Sequence, residues 1–270
     1  MELNDIQFIF NRALTHTFER KKLLVVSTIL LLCGLLVVFF RGLSLHTGQW
    51  LTMSLAFLPI FLCSGVLLAI GVLLIRVYHD QVKKKRASFR NVLSKSWDVM
   101  IGSSYLSIPL ILAYLLLWMF LGIFFLLNDI PGVGGVFSVL LSFAPFLLNL
   151  GAIFLSLLSI SLLFFVTPIV ALRGMNRIQL SQVLAKRLQK DLFFTLFLAT
   201  IAALPLLLLS GLLILAAAMT DAVCLTCNDP LYIMMQWFFI MVPFALILSP
   251  TVVFFFNFAA ESHVLMQRQK

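Results

Sequence analysis

Charge is scarce in this chain, and acidic charge scarcer still. Charged residues make up 11% of its 270 positions, with ten Asp and Glu against nineteen Lys and Arg. Soluble domains carry about 25% charged residues and are about half apolar. At 62% hydrophobic, a water-soluble fold of this length could not bury its apolar surface. There are only four cysteines, too few for a disulfide-built secreted scaffold. A P-loop, a dinucleotide fingerprint and a nucleophile elbow are all missing, which removes the familiar nucleotide and acyl-transfer chemistries. The basic excess lacks interleaved aromatic residues, so nucleic-acid binding is not expected.

What is present is a set of long uncharged runs. A membrane-spanning helix needs about 20 consecutive apolar residues. Six runs meet that need, with spans expected at about 23–40, 51–75, 101–127, 138–168, 192–219 and 231–258. The fourth lies in a blank stretch, 133–172, that would be about 60 Å long if wholly helical. One span with irregular or interfacial ends is expected there, broken by Gly134, Gly135 and Pro145 at its start and Pro168 at its end. The first apolar run begins only at Leu23 and has no small-residue cleavage motif, so a retained span is expected rather than a signal peptide.

The basic residues decide between six spans and seven. Six spans put eighteen of the nineteen Lys and Arg on one side, leaving Arg41 alone on the other. Positive charge in short loops stays cytoplasmic. The expectation is therefore a multi-pass cell-membrane protein, most simply of a bacterial inner membrane, with both termini cytoplasmic. A seventh span would destroy this agreement.

An internal pattern runs through the segments that precede the odd-numbered spans. Phe10, Leu14 and Phe18 in the first match Phe89, Leu93 and Trp97 in the second and Leu180, Leu184 and Leu188 in the third. Ala13, Val92 and Val183 occupy the fourth position of each. This is a helical apolar stripe. The expected fold class is all-α: six transmembrane helices as three hairpins, each preceded by a cytoplasmic amphipathic helix, in a single integral membrane domain. Prolines recur within the spans, as in Ile108-Pro109-Leu110 and Leu204-Pro205-Leu206. Each frees a backbone carbonyl that a neighbour or a Ser/Thr must satisfy.

Residues 88–98, the Ile130-Pro131-Gly132 turn, and Val166-Thr167-Pro168-Ile169-Val170 followed by 180–188 carry a resemblance. In these the chain resembles poorly characterised six-span bacterial membrane families, such as the membrane domain fused to some glycerophosphodiester phosphodiesterases. The resemblance implies a membrane-embedded bundle. It brings no catalytic residues, and the hydrolase domain is not in this sequence.

Candidate sites are few. Cys224 and Cys227, with two residues between them, stand in the loop before the sixth span, on the side assigned as oxidising. They could form a structural disulfide or act as a redox pair, and a disulfide is the expectation. Zinc would need four ligands, and the same side offers only His46, Asp129, Asp221 and Asp229 besides the thiols, so no metal or other cofactor is expected. Lys83, Lys84, Lys85 and Arg86 suit contact with anionic lipid headgroups. No ionisable residue falls inside a span core, which disfavours an ion-coupled carrier. The polar residues Asn149, Gln236, Asn257, Ser156, Ser159 and Ser161 read as interhelical glue, and Gly65/Ala69 and Ala152/Ser156 as close-packing pairs. The expected role is a non-enzymatic, membrane-organising or accessory protein. The alternatives are an uncoupled lipid or small-solute permease and a membrane thiol–disulfide oxidoreductase.

Overall fold

The computed structural model describes residues 3–45, 49–83, 89–128, 134–174, 192–219 and 230–268, and every regular element among them is helical. In chain order these are α1 (Leu3–Thr15), α2 (Arg20–Ser44), α3 (Gln49–Val82), α4 (Phe89–Ser104), α5 (Ile108–Asn128), α6 (Gly134–Arg173), α7 (Leu192–Met219) and α8 (Pro230–Arg268). Six helical stretches are long and apolar enough to cross a membrane; one of them joins α4 and α5. The protein is an all-α, multi-pass membrane bundle.

The helices outrun the apolar runs that mark them in the sequence. Helix α3 continues past Ile75 through Arg76-Val77-Tyr78-His79-Asp80-Gln81 to Val82, and α8 continues past Ala260 to Arg268. Helix α6 runs 40 residues without interruption, so Pro145 and Pro168 do not break it. A proline in a membrane helix is tolerated where freed carbonyls find new donors. Pro250 shows how: the Leu246 carbonyl that would have bonded its N–H accepts the Ser249 hydroxyl at 2.9 Å. Pro109 has a different outcome. The chain tightens into a 3-10 turn at Tyr105–Ser107, with the Ile108 N–H donating to the Tyr105 carbonyl. The missing N–H and the ring at Pro109 would have disturbed that same carbonyl in an α-helix.

Two ends are set by local chemistry. Between α1 and α2 the Thr17 hydroxyl donates to Ala13 at 2.8 Å, and Glu19 is extended at φ −79°, ψ 121°. At the end of α6, Gly174 adopts φ 80° and its N–H donates to the Val170 carbonyl at 3.1 Å. That is the left-handed stop glycine favours. Among the described residues a Cβ there would meet no neighbouring atom, so Gly174→Ala isolates the backbone cost. It should destabilise by about 1 kcal/mol, read by thermal unfolding in detergent, while Gly211→Ala on exposed α7 should not destabilise.

Packing gives the hairpins a cyclic order. Helices α3, α6 and α8, the second members of the three hairpins, all touch one another and form the centre. Each first member packs on its own partner and on the second member of the preceding hairpin. Thus α2 lies on α3 and α8, the α4–α5 rod on α6 and α3, and α7 on α8 and, sparsely, on α6. The sequence repeat is thereby matched by a threefold-like arrangement with one loosely closed seam, between α6 and α7. Burial follows the same order: α3 is the most enclosed span and α7 the least. Outward faces carry Leu32, Phe39, Leu207, Leu208 and Leu212, exposed large apolar side chains that suit lipid.

Between membrane helices close fit, rather than expulsion of water, drives association. The fit uses glycine notches. Gly34 and Gly42 of α2 receive Met241 and Met234 of α8, Gly151 of α6 receives Leu117 of α5, and Gly71 of α3 receives Phe256 of α8. Gly65, one of the predicted close-packing residues, receives Ser107. Ala152 is fully buried beside Phe61, Leu110 and Tyr114. The main core is aromatic, with Phe164 of α6 set 5.8 Å from Phe255 and 6.5 Å from Phe258 of α8.

The amphipathic segments pack differently from the large-residue stripe read in the sequence. In α1 and the turn that follows it the buried positions are Ile9, Ala13 and Thr17, whereas Leu14 and Phe18 are exposed. In α4, Val92 and Ser96 are buried and Trp97 is exposed. In the two described segments the small fourth residue, Ala13 or Val92, faces the bundle because close approach needs it; Phe10, Phe89 and Leu93 pack partly against the core, while Leu14, Phe18 and Trp97 turn outward. Helix α1 docks on α8, with Phe10 edge-on to Phe254 at 5.1 Å. Helix α4 leads through the 3-10 turn into α5, and the segment 178–190 lies outside the described residues.

Candidate functional site

Among the described residues the ion-paired and charge-bearing hydrogen-bond networks lie at one end, where α1 ends, α2 and α4 begin, and α3, α6 and α8 finish. Three linked features make up this basic end.

The first surrounds Lys22, whose side chain is fully buried. An isolated ammonium in such a place would be very costly. Its Nζ donates to Gln81 Oε1 at 2.6 Å and lies 3.5 Å from the His16 carbonyl, 3.3 Å from Glu19 Oε2 and 5.4 Å from the Tyr78 ring centroid. Gln81 Nε2 in turn donates to Glu19 Oε2. One cation thus joins the α1–α2 corner to the end of α3.

The second joins α1, α3 and α8. Tyr78 donates its hydroxyl to Glu261 Oε1 at 2.6 Å, and Arg12 Nε lies 3.4 Å from the same oxygen. Asn257, fully buried, donates Nδ2 to the Ala13 carbonyl at 3.4 Å, while its Oδ1 has no hydrogen-bond partner among the described residues. Asn257 is thus the interhelical glue expected from the sequence. Ser156 and Ser161 instead donate to carbonyls of their own helix, at Ala152 and Leu157.

The third is a cleft of about 460 Å³ between α3, α4 and the end of α6. Arg76, His79 and Asp80 line it from α3; Asn91, Lys95 and Ser96 line it from α4. Arg76 is clamped in place. Its Nε donates to the Ala171 carbonyl at 2.9 Å, and Nη1 donates to Ser96 Oγ at 2.9 Å and, less closely, to the Lys95 carbonyl at 3.4 Å. Among the described residues nothing accepts a hydrogen bond from Nη2, and no carboxylate pairs with the exposed Lys95 ammonium.

These groups escape a reading by apolar runs. Lys22, Arg76, Tyr78, Asp80 and Glu261 flank those runs, so they read as loop or interface residues. The available signal was the spacing of Arg76, Asp80 and Lys83, which continues a helical face beyond the hydrophobic stretch.

The predicted site residues fare unequally. Lys83 is described and exposed, at the end of α3. Lys84, Lys85, Arg86, Cys224 and Cys227 lie outside the described residues, as do His46, Asp129, Asp221 and Asp229. The other two cysteines meet: Cys63 Sγ of α3 lies 3.9 Å from the Cys33 carbonyl of α2. The opposite end of the bundle holds Arg41, whose guanidinium stands 5.9 Å from the Trp237 ring centroid. Comparison with protein-family models, with curated proteins and with solved structures finds no match to this chain.

Proposed function

We propose that this is a non-enzymatic integral membrane protein that organises or assists other membrane components. It sits in a bacterial inner membrane with its basic end and both termini in the cytoplasm. There Lys83, Lys84, Lys85 and Arg86 hold anionic lipid headgroups. The observation that carries this reading is that, among the described residues, both side-chain ion pairs and the charged hydrogen-bond networks gather at one end. The Lys22 network, the Glu261 network and the Arg76 cleft converge at the end that also bears Lys83, while the far end contributes Arg41 against a tryptophan. Basic residues beside an anionic leaflet contribute about 1 kcal/mol each and fix orientation. The resemblance to fused six-span membrane domains implies a membrane-embedded bundle and brings no catalytic residues, in keeping with this reading.

Single cysteines at positions 85 and 221 in a cysteine-free variant test the orientation. A membrane-impermeant maleimide added to intact cells should label position 221 and leave 85 unlabelled until lysis. Replacing Lys83, Lys84, Lys85 and Arg86 with Gln should strip most of the anionic lipid that co-purifies. Outside labelling of position 85, or an unchanged lipid content, would overturn the reading.

The sparse contact of α7 with α6 favours a second reading, an uncoupled lipid permease with a lateral groove at that seam. Lipid scrambling by the reconstituted protein, abolished by cross-linking α6 to α7, would replace the first reading with this one.

A further inference from the structure

We infer that the Arg76 cleft is a binding site for a singly charged phosphodiester, distinct from the basic run that follows it. The argument starts from charge. Arg76 and Lys95 bring two positive charges to the cleft and Asp80, one helical turn from Arg76, brings one negative. These three ionised groups give the described lining a formal charge of about +1 at neutral pH. A monoanion matches that charge. A phosphate monoester, which approaches two negative charges, would face the Asp80 carboxylate without a second uncompensated cation.

Geometry makes the same selection. The guanidinium is held by the Ala171 carbonyl and the Ser96 hydroxyl, so little side-chain freedom remains to be lost on binding. Its Nη2 and the Lys95 ammonium supply donors for two phosphate oxygens. Asn91 and Asp80 offer partners for a hydroxyl or an ammonium on the alcohol portion. Ala171, Leu172 and Val92 give the cleft an apolar wall for the carbon chain next to the ester. The volume, about 460 Å³, lies in the range of small-ligand sites and holds a headgroup rather than a whole lipid.

Such a group could come from a membrane phospholipid or from its soluble, deacylated counterpart. The inference relies on the function proposed above only for placing this end at a lipid surface.

The test uses full-length protein in neutral detergent, with bound lipid counted by native mass spectrometry. The probes are phosphatidylglycerol, phosphatidic acid, glycerophosphoglycerol and inorganic phosphate. One phosphatidylglycerol should bind more tightly than phosphatidic acid. Lys95→Gln, which removes an exposed side chain with no structural bond, should weaken that binding about fivefold. Arg76→Gln should weaken it further, and its folding is checked by thermal unfolding. Lys83→Gln, beyond the cleft, should change it little. Asp80→Asn raises the net charge and should invert the preference toward phosphatidic acid and inorganic phosphate. Competition by glycerophosphoglycerol would assign the site to the headgroup from either source; failure to compete would assign it to the intact lipid. Equal binding by wild type and Lys95→Gln, or an Asp80→Asn variant with unaltered preference, would overturn the inference. A loss of bulk anionic lipid on replacing residues 83–86, with this single site intact, would separate the two proposals.

Discussion

Lys22→Met should destabilise the bundle by about 3 kcal/mol, one of the two largest losses expected from a single substitution. The methionine matches the length of the lysine stem, so packing is nearly conserved. What is lost is the ammonium that serves Gln81 Oε1, the His16 carbonyl and the Glu19 carboxylate together. Removing one member of a buried pair costs about 3–5 kcal/mol because the partner stays buried and uncompensated. The lower end applies here, since the Glu19 side chain is 38% exposed and keeps its bond from Gln81. Equilibrium unfolding in a mild detergent gives the measurement. A double-mutant cycle with Glu19→Gln should show coupling, because both residues act through one oxygen. A Lys22→Met variant as stable as wild type would mean that the network forms without stabilising the fold.

Gly71→Leu should be at least as damaging, for a steric reason. A Cβ on Gly71 would overlap three ring carbons of Phe256, and that ring is 1% exposed and set against Phe255 at 5.3 Å. The ring has nowhere to turn. Overpacking a close-packed core costs about 1–3 kcal/mol and occasionally more, and the three carbons beyond Cβ would force α3 and α8 apart at the centre of the bundle. Gly71→Ala should cost less, since the helix propensity of alanine returns up to about 1 kcal/mol. Pairing Gly71→Ala with Phe256→Leu should recover most of the loss. If Gly71→Leu folds with wild-type stability, α3 and α8 are not in contact there.

Both predictions concern residues whose role no linear reading could assign. In the sequence Lys22 is one of three consecutive basic residues before the first span, the kind that sets orientation. In the fold it is the one of the three that is buried, because Arg20 and Lys21 lie on the outer face of the same helical turn. Gly71 sits in a leucine-rich run, where glycine marks close approach without naming the partner. The fit with Phe256 joins positions 185 residues apart.

The large-residue stripe teaches the same point in a different way. Phe18 and Trp97 look like buried anchors on a water-solvated helix. A membrane protein inverts the economy of burial, since lipid solvates leucine and tryptophan as well as a core does. The position facing the bundle is then the one where a small side chain permits contact, as at Ala13, beside the Asn257 amide. The prolines divide likewise. Pro250 is absorbed by Ser249, its neighbour in sequence, and that was legible. Pro168 lies inside an unbroken helix, and the sequence does not forecast that.

By itself the sequence determined the class of solvent, the number of spans and the repeat. The first two depend on composition summed over twenty or more residues, where small preferences accumulate into large free energies, and the repeat on the spacing of apolar residues along one helical face. The tertiary structure decided which helices meet, which seam stays loose, and that Arg76, Asp80, Lys95 and Ser96 share one cleft. Those outcomes rest on single contacts of a few ångströms between residues far apart in the chain. Such contacts leave no periodic trace in the sequence, because each depends on shape at one place.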